Sequence, residues 1–436
     1  MSASITDKCR QAREISGHLA NLEGEEKNLI LQKIAQKIKH SKKDIAQANA
    51  LDVQAGEALV EAGELSKALL SRLVLNENKI DQLVVYLEEV SKLEDPVGST
   101  QYAMQLDQDL ELTRVSCPIG VLAVLFESRP EVVIQVSALS LKSGNAVILK
   151  GGSEASNSNR MLFSLIHQVL VEENLEGAVG LIETRDDVAA ILVEEDYIDL
   201  IIPRGSNEFV RYIQDHSRIP VLGHSEGICN LYIDENAKPE MAASLAVDSK
   251  VDYPSACNAV ENILFDQKCA DTLIRSVLEA LQGAKVLLKV SADLQARVPD
   301  MTLLLADEED FRTEYSDMVV SLGLVEDLNR AIAWINKKGS HHTDSIVTED
   351  MRNAELFLTK VNSACTFHNC STRFSDGYVF GLGAEVGVST NKTHARGPVG
   401  LEGLVIYKYL LKGKGQIKGA YSGSGAKPFL HLPLPY

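Results

Sequence analysis

The sequence predicts an α/β protein of two doubly wound domains with a small β arm, and three observations support this prediction. From Gly120 onwards, short and continuously apolar runs alternate with helical stretches, which is typical of parallel strands that helices cover on both faces. The chain has 436 residues, more than one ordinary core accommodates. Residues 100–117 alternate apolar with charged side chains, as expected of a hairpin that its own domain buries only in part.

The first part of the chain, residues 1–95, is predicted to be helical. Its clearest signal is an apolar stripe with helical spacing, the mark of a helix packed on a core. The stripe consists of Ile80, Leu83, Val84, Leu87 and Val90. Nothing in this region indicates catalytic chemistry. The hairpin at 100–117 has two interpretations, a surface hairpin or a pairing surface between subunits.

Two α/β patterns follow the hairpin. The first predicts strands at 121–126, 146–150, 178–183, 198–203, 219–223 and 231–234, and helices at 131–142, 153–173, 186–195 and 206–215. The second predicts helices at 239–250, 268–282 and 325–337, and strands at 260–266, 285–290, 301–305 and 345–348. The last segment, with Gly, Ser and Pro at intervals, indicates an arm.

Composition excludes several classes of function. The net charge of −18 argues against nucleic acid as a partner, because phosphate backbones are bound by neutralising them with Lys and Arg. No apolar run approaches the ~20 residues that span a bilayer, so no membrane partner is expected. The seven cysteines are scattered without a C-x-x-C pair. This argues against a disulfide scaffold or a zinc ribbon and predicts a reducing, cytoplasmic location.

Cys257 is the strongest candidate for a reactive side chain. It stands in the sequence Pro-Ser-Ala-Cys-Asn, between the helix predicted at 239–250 and the strand predicted at 260–266. On such a turn, backbone N–H groups are free to point at the sulfur or at an oxygen bonded to it. This setting favours a nucleophilic thiolate. The alternative is a small buried apolar residue, since Cys is among the residue types most often buried.

Two strand-to-helix turns are candidates for binding phosphate groups. They run from Lys150 to Glu154 and from Arg204 to Asn207, and each contains glycine. Glycine allows close backbone approach, and the N-terminus of the following helix can hold a phosphate. The fingerprint G-x-G-x-x-G is absent, which disfavours an ordinary Rossmann dehydrogenase. Each turn taken alone is also explained by backbone geometry.

Two polar stretches lie further along. The stretch 341–344, His-His-Thr-Asp, offers metal ligands, but no further ligand follows at helical spacing. We therefore predict a turn with an Asx hydrogen bond there and no metal. The stretch 369–404 is dense in glycine and contains Arg373 and Arg396, which can hold a carboxylate or phosphate bidentately. The alternative is an irregular crossover whose arginines form surface ion pairs.

Several of these segments together resemble one family. They are Pro-Ile-Gly at 118–120, Glu-Ser-Arg-Pro at 127–130, the turn after Lys150, Cys-Asn-Ala at 257–259, His-Thr-Asp at 342–344 and HARGPVGLEGL at 394–404. They resemble the γ-glutamyl phosphate reductases, also called glutamate-5-semialdehyde dehydrogenases, a branch of the aldehyde dehydrogenase superfamily. The similarity covers nearly the whole chain. It implies domains of aldehyde dehydrogenase type: an NADP-binding domain at 1–230, a catalytic domain at 231–405 and an oligomerisation arm that pairs the hairpin with 406–436.

The resemblance also implies an activity and partners. The activity is the NADPH-dependent reduction of L-glutamyl 5-phosphate to L-glutamate 5-semialdehyde and phosphate, the second step of proline biosynthesis. The expected state is a homo-oligomer, and the expected protein contact is with glutamate 5-kinase.

Site residues follow from the same resemblance, residue by residue. Cys257 matches the nucleophile, and Asn258 beside it joins the catalytic set. The turn that holds the adenosine ribose is matched by Lys150, Gly151, Ser153 and Glu154. Many relatives have Arg at the position of Lys150, and either cation beside Ser153 can contact the 2′-phosphate of NADPH. Gly205 and Ser206 match the turn under the pyrophosphate, and Glu314 matches the glutamate that binds the nicotinamide ribose.

Two departures from the wider superfamily bear on the mechanism. The oxyanion asparagine falls near Ser128, so that role passes in part to Ser128 or to the backbone N–H of Cys257. The general-base glutamate falls near Glu226, in a stretch that aligns poorly. A thioacyl enzyme that is to be reduced by hydride needs no hydrolytic water. Arg129, Arg373 and Arg396 are the candidates for the anionic groups of the substrate.

Two other functions remain open at this point. One is a hydrolytic aldehyde dehydrogenase that acts on another semialdehyde and needs no phosphate. The other is a catalytically silent member kept as a scaffold subunit, which predicts a missing thiol or a blocked cofactor turn.

Overall fold

The structure is a computed structural model that describes residues 4–65, 67–224 and 226–436. In chain order its helices are α1 (Ile5–Leu19), α2 (Gly24–His40), α3 (Lys42–Glu61), α4 (Lys67–Leu73), α5 (Glu77–Lys92), α6 (Val132–Lys142), α7 (Ser156–Glu172), α8 (Arg185–Ile191), α9 (Asn207–His216), α10 (Pro239–Val251), α11 (Asp271–Gly283), α12 (Ala292–Arg297), α13 (Leu328–Lys338) and α14 (Met351–Lys360). Its strands are β1 (Thr100–Asp107), β2 (Leu110–Pro118), β3 (Val121–Phe126), β4 (Ala146–Lys150), β5 (Val179–Ile182), β6 (Leu200–Arg204), β7 (Cys229–Ile233), β8 (Val260–Asp266), β9 (Leu287–Val290), β10 (Leu304–Leu305), β11 (Val319–Val325), β12 (Thr343–Val347), β13 (Cys365–His368), β14 (Gly387–Ser389), β15 (Gly397–Val399), β16 (Val405–Lys412) and β17 (Leu432–Pro433).

The chain forms two compact units. The first comprises Met1–Leu222 and Gly400–Tyr436, and the second Gly223–Val399. Each unit contains a parallel sheet with helical connections, which is the α/β class predicted from the sequence. The assignment of cofactor binding to one unit and of catalysis to the other remains a prediction.

A four-stranded parallel sheet forms the centre of the first unit, in the order β5-β4-β3-β6. Every residue of β3 and β4 is buried, as a strand between two helical layers requires. The predicted stripe on α5 is buried, and α5 packs on α2 and α6. Because parallel strands end at the same edge of a sheet, the residues after β3, β4 and β6 lie together. We call residues 127–129, 151–154 and 204–206 the strand-end turns.

The arm of the first unit is a separate antiparallel sheet, in the order β16-β2-β1-β17. The predicted hairpin at 100–117 is its β1–β2 pair, and β16 pairs with β2 along its whole length, from Val405 opposite Pro118 to Lys412 opposite Glu111. After Val405, every residue of β16 is exposed. The side chain of Asn145 donates to the carbonyl of Leu404 at 2.8 Å and so fixes the base of the arm.

The second unit is built on a seven-stranded parallel sheet in the order β10-β9-β11-β8-β7-β12-β13. Its central strand β8 is buried at every residue, and apolar side chains pack on both faces of the sheet. The helix α10 precedes β8 and begins with Pro239 at its first turn, where a missing N–H costs nothing. The segment 252–259 joins α10 to β8 and contains Cys257.

Some predicted strands differ from those observed. Residues 219–223 form only a single bridge between Val221 and Ile201, because Pro220 has no N–H to donate and the chain leaves the sheet at Gly223. The strand predicted at 301–305 is reduced to Leu304–Leu305. The sequence did not predict strands β11, β13, β14, β15, β16 and β17. Within the described ranges, the helices are all too short or too polar to pass through a lipid bilayer.

Candidate active site

The loop that carries Cys257 is held in place by turns and by a side-chain amide. The N–H of Ala256 donates to the carbonyl of Tyr253 at 3.0 Å, and the N–H of Ala259 donates to that of Ala256 at 3.0 Å. The amide of Asn258 is buried and donates to the carbonyls of Arg373 at 3.3 Å and Ser375 at 3.0 Å. Asn258 therefore ties the thiol loop to a neighbouring segment of the same unit.

Two histidines lie beside the half-buried thiol of Cys257. One ring nitrogen of His224, one of His342 and the Cys257 sulfur all lie within 4.8 Å of one another. The two rings meet edge to face, with their centroids 4.8 Å apart. His342 is fully buried, whereas His224 is partly exposed. We call these three residues the thiol site.

Both rings are oriented by hydrogen bonds. Nδ1 of His224 donates to the carbonyl of Val388 at 2.7 Å, which leaves Nε2 as the nitrogen available to the sulfur. Nδ1 of His342 lies 2.9 Å from the hydroxyl of Thr343 and 3.7 Å from the sulfur of Cys229. Nε2 of His342 is buried and has no geometrically complete hydrogen bond within the described part of the chain.

The two rings change the electrostatics of the thiol. Burial by itself would raise the pKa of Cys257, but the positive charges of His342 and His224 and their nearby N–H groups outweigh burial and hold that pKa well below its ordinary value. Burial by itself would lower the pKa of His224. The charge and hydrogen bond of Cys257, the bond to Val388 and the charge of Glu314 raise it to about 9. The pair at neutral pH is thus a thiolate and an imidazolium.

A second cysteine nearby shows the opposite behaviour. The sulfur of Cys229 donates to the carbonyl of Cys257 at 3.3 Å, and burial raises the pKa of the Cys229 thiol well above its ordinary value. Cys229 therefore stays a thiol, and its hydrogen bond supports the loop that carries Cys257.

Glu314 and Gly227 support the loop from another direction. The N–H of Gly227 donates to the carboxylate of Glu314 at 2.9 Å. A Cβ at Gly227 would lie 2.2 Å from the carbonyl oxygen of Cys257 and 2.7 Å from its Cα, so any side chain here would displace the loop. The predicted ribose ligand Glu314 is thus part of the surroundings of His224 and Cys257.

The stretch 341–344 does not form the turn predicted for it. Thr343 and Asp344 belong to the buried strand β12, and the carboxylate of Asp344 accepts hydrogen bonds from the backbone and side chain of Asn230 at 2.9 and 2.6 Å. Asp344 therefore bonds to a neighbouring strand and not to its own turn, and His342 reaches the thiol site because the strand presents it there.

The donor atoms of the thiol site are of the kind that Zn²⁺ accepts. No other group of three such side chains occurs among the residues described. We interpret the cluster as an activated thiol, because a bound metal would occupy the sulfur that acyl chemistry needs.

The predicted arginines lie in different surroundings. Nε of Arg373 donates to the carboxylate of Asp252 at 3.1 Å, and its guanidinium lies 6.0 Å from the ring centre of Tyr253, so it borders the thiol loop. Nη2 of Arg396 donates to the carbonyl of Asn362 at 2.7 Å and its Nε to that of Thr390 at 3.3 Å. Two of the guanidinium nitrogens of Arg396 thus already donate to backbone carbonyls. Arg129 is half-buried in the first unit.

The strand-end turns of the first unit bring together the other predicted residues. Ser128, at a φ of 47°, donates from both its N–H and its hydroxyl to Glu154 at 2.7 Å. The N–H of Ser206 donates to Glu127 at 2.8 Å. Lys150 is buried at the end of β4, and Ser153 is exposed.

Glycine lets carboxylates approach the backbone at two of these turns. A Cβ at Gly152 would lie 2.0 Å from Glu154, and one at Gly205 would lie 2.4 Å from Glu127. At Gly151 the nearest atom would be the amide of Asn159, at 2.2 Å. These turns therefore admit anionic oxygen close to the backbone, as a pyrophosphate or a ribose needs.

The two histidines were missed in the sequence. His224 follows a glycine in a loop with no periodic pattern, and His342 was read as part of a turn. The available signal was that each precedes a predicted strand, at 231–234 and at 345–348. The structure pairs these strands as β7 and β12, and residues before adjacent parallel strands share an edge.

Comparison with known proteins gives consistent results. The model of the aldehyde dehydrogenase family matches residues 2–296. Gamma-glutamyl phosphate reductase of Methanosarcina barkeri is 46% identical over 439 residues, covering 100% of this chain and 98% of the relative. The enzyme of that name from Acaryochloris marina is 47% identical over 435 residues, covering 100% of this chain and 99% of the relative.

Solved structures agree with this. The crystal structure of gamma-glutamyl phosphate reductase from Thermotoga maritima superposes with a TM-score of 0.91 and 35% identity, covering 95% of this chain and 100% of that one. An acetylating aldehyde dehydrogenase from Geobacillus thermoglucosidasius has a TM-score of 0.65 at 15% identity, covering 95% of this chain and 97% of that one. The second similarity concerns the fold alone.

Proposed function

The chain belongs to the aldehyde dehydrogenase family and, within it, to the γ-glutamyl phosphate reductases, and from this premise we propose that it reduces L-glutamyl 5-phosphate to L-glutamate 5-semialdehyde and phosphate with NADPH. The reaction passes through a thioacyl enzyme on Cys257. The observation that carries this proposal is the position of the Cys257 sulfur within 4.8 Å of ring nitrogens of His224 and His342. Positive charge on these rings lowers the pKa of the thiol, and the thiolate is the nucleophilic form.

Acyl transfer is the first step. The sulfur of Cys257 attacks the carbonyl carbon of the acyl phosphate, and phosphate departs as the thioester forms. The backbone N–H of Cys257 has no acceptor among the described residues, so it is placed to stabilise the tetrahedral oxyanion. Ser128, the other candidate, donates both its N–H and its hydroxyl to Glu154, so the same role requires that contact to open.

Reduction is the second step, and it needs a nicotinamide. The strand-end turns fit such a cofactor, because carboxylate oxygens of Glu154 and Glu127 already lie close to the backbone at Gly152 and Gly205, where anionic oxygens of a nucleotide can replace them. Lys150 and Ser153 would hold the 2′-phosphate, Glu154 the adenosine ribose, Gly151, Gly205 and Ser206 the pyrophosphate side, and Glu314 the nicotinamide ribose. When bound, the cofactor supplies hydride to the thioester carbon. The chain's own part is then to take back the sulfur as thiolate when the hemithioacetal collapses.

Substrate anions are assigned to arginines. Arg373 is our first choice, because it borders the thiol loop through Asp252 and Tyr253. Arg396 is a weaker choice, since backbone carbonyls engage it. Arg129 is the third. Asn258, whose amide holds the loop, supports the nucleophile in this scheme without contacting the substrate.

The assembly and location follow from the same proposal. The chain works in the cytoplasm as a homo-oligomer whose arm sheet, with its exposed strand β16, provides the contact, and it meets glutamate 5-kinase, the preceding enzyme. A hydrolytic aldehyde dehydrogenase is disfavoured, since the titratable groups clustered with the sulfur are the rings of His224 and His342.

Replacing the nucleophile tests the reaction. In Cys257→Ala, reduction of NADP⁺ by glutamate semialdehyde and phosphate should fall by roughly 10⁴-fold or more, followed through the absorbance of the reduced nicotinamide. Cys117→Ser is the matched control, because this half-buried thiol lies in β2 of the arm, and it should retain activity. Full activity in Cys257→Ala, or sustained turnover of the native protein without phosphate beyond one equivalent of reduced nicotinamide per site, would contradict the proposal.

A further inference from the structure

We propose that His224 is the acid that protonates the departing phosphate, a role that rests on the proposed function and adds a second catalytic residue to it. The proposal stands on three features of the thiol site. These are the proximity of His224 to the sulfur, its partial exposure and the hydrogen bond that fixes its ring.

The chemistry requires a proton at this step. When the thiolate attacks the acyl phosphate dianion, a carbon–sulfur bond forms and the carbon–oxygen bond to phosphate breaks. The electron pair of the broken bond goes to the phosphate oxygen, which would leave as a strongly basic trianion. A proton from the imidazolium converts it to hydrogen phosphate, so thiolate, imidazolium and acyl phosphate give thioester, neutral imidazole and hydrogen phosphate. Solvent returns the proton to the ring once reduction has released the sulfur again as thiolate.

Of the two histidines, His224 is the one that can make this transfer. His342 is fully buried, with Nδ1 near Thr343 and Cys229. His224 is partly exposed, and its Nδ1 is bonded to the carbonyl of Val388. Its Nε2 is therefore the proton-bearing atom on the side of the sulfur. In the tetrahedral intermediate the leaving oxygen is bonded to the same carbon as the sulfur, so this nitrogen is the ring atom that can reach it.

The groups around His224 make its pKa change during the reaction. Among the described residues, the titratable groups that act on it or contact its ring include Cys257, Glu314 and His342, and β14 contributes the carbonyl of Val388. The largest of the effects that raise the pKa of His224 to about 9 is the negative charge of Cys257. Acylation removes that charge. The ring thus holds its proton firmly before attack and releases it readily as the thioester forms.

The reverse reaction separates the role of the acid from that of the nucleophile. With NADP⁺ and glutamate semialdehyde but no phosphate, the thiolate adds to the aldehyde and hydride leaves from the alkoxide. No proton passes between ring and substrate in this half-reaction. Without phosphate the reaction stops at the thioester, so it produces a rapid burst of one equivalent of reduced nicotinamide per active site. Because the thioester carries no thiolate charge, His224 then loses its proton to solvent. Phosphate attacks the thioester and loses a proton, which neutral His224 accepts.

The experiment compares the burst with the turnover that added phosphate produces. In His224→Gln the burst should keep its amplitude, although it forms more slowly because the thiolate loses one cationic neighbour. Phosphate-dependent turnover should fall by at least about 100-fold. In His224→Ala, free imidazole should restore part of that turnover. His342→Gln is the matched control, and it should slow the burst without any rescue by imidazole.

Three outcomes would overturn the inference. One is normal phosphate-dependent turnover in His224→Gln. Another is the loss of burst and turnover together without rescue by imidazole, which would assign His224 a structural role or one in forming the thiolate alone. The third is the absence of a Cys257-dependent burst in the native protein. That result would remove the proposed function as well, so the two failures are distinguishable.

Discussion

The thiol site and the strand-end turns differ in the charges that the chain itself places there. At the thiol site, two imidazole rings lie beside Cys257 and hold its pKa low. At the strand-end turns, N–H groups of Ser128 and Ser206 donate to the carboxylates of Glu154 and Glu127. The thiol site thus contains the groups that activate its sulfur. At the strand-end turns, the N–H groups that could bind an anion already donate to glutamate carboxylates, so a bound cofactor has to displace these carboxylates.

The largest effect should arise at Lys150, and it would sharpen this contrast. Lys150→Met removes a buried cation that we assign to the 2′-phosphate, and a lost hydrogen bond to a charged group costs about 1.5–3 kcal/mol. The affinity for NADPH should fall by roughly 10- to 100-fold in a fluorescence titration, with a smaller change for NADH. The alkylation rate of Cys257 should not change. Equal weakening of both nucleotides would contradict the assignment.

A smaller effect is expected from His342→Asn on the reactivity of the thiol. The positive charge of His342 helps to hold the pKa of Cys257 low, so its removal raises that pKa and leaves less thiolate at pH 7. Alkylation by iodoacetamide should slow by roughly tenfold for each pKa unit and recover as the pH is raised.

The native protein supplies the reference for that measurement. Its alkylation rate at Cys257 should fall less on acidification from neutral pH than that of an ordinary thiol, because the lowered pKa keeps more of the sulfur as thiolate. Cys117, whose pKa burial raises, should react more slowly throughout. If native Cys257 follows the pH dependence of an ordinary thiol, His224 and His342 do not activate its sulfur. The contrast drawn between the thiol site and the strand-end turns is then wrong.

The smallest effect should come from Glu127→Gln. The carboxylate of Glu127 accepts the N–H of Ser206, and a neutral amide competes for it less strongly. NADPH should therefore bind about threefold more tightly, measured in the same titration. Glu131→Gln is a suitable control, because it removes a charge from the same region without a described bond to these turns. Weaker binding in Glu127→Gln would show that the carboxylate assists the cofactor.

The sequence predicted those features that depend on neighbours along the chain. Cys257 was identified because a turn between a helix and a buried strand leaves backbone N–H groups free to point at its sulfur. The turns after Lys150 and Arg204 were identified because glycine follows a strand and precedes a helix. Each of these signals is local, and the parallel sheets supply the rest of the geometry.

The features that were missed depend on contacts between distant segments. His224 and His342 meet the sulfur only because β7, β8 and β12 are adjacent in the sheet, and strand order is not written in local spacing. Arg396 illustrates the converse. Its glycine-rich surroundings suggested an anion site, whereas the fold directs it to the carbonyls of Asn362 and Thr390.

The pairing of β16 with β2 has a consequence for biogenesis. Strand β2 ends at Pro118 and its partner begins at Val405, so the whole second unit is synthesised between them. Contacts of such long sequence separation form late. During translation, β2 therefore leaves the ribosome with an unpaired edge, a surface on which a chaperone or a second nascent chain can act before the arm closes.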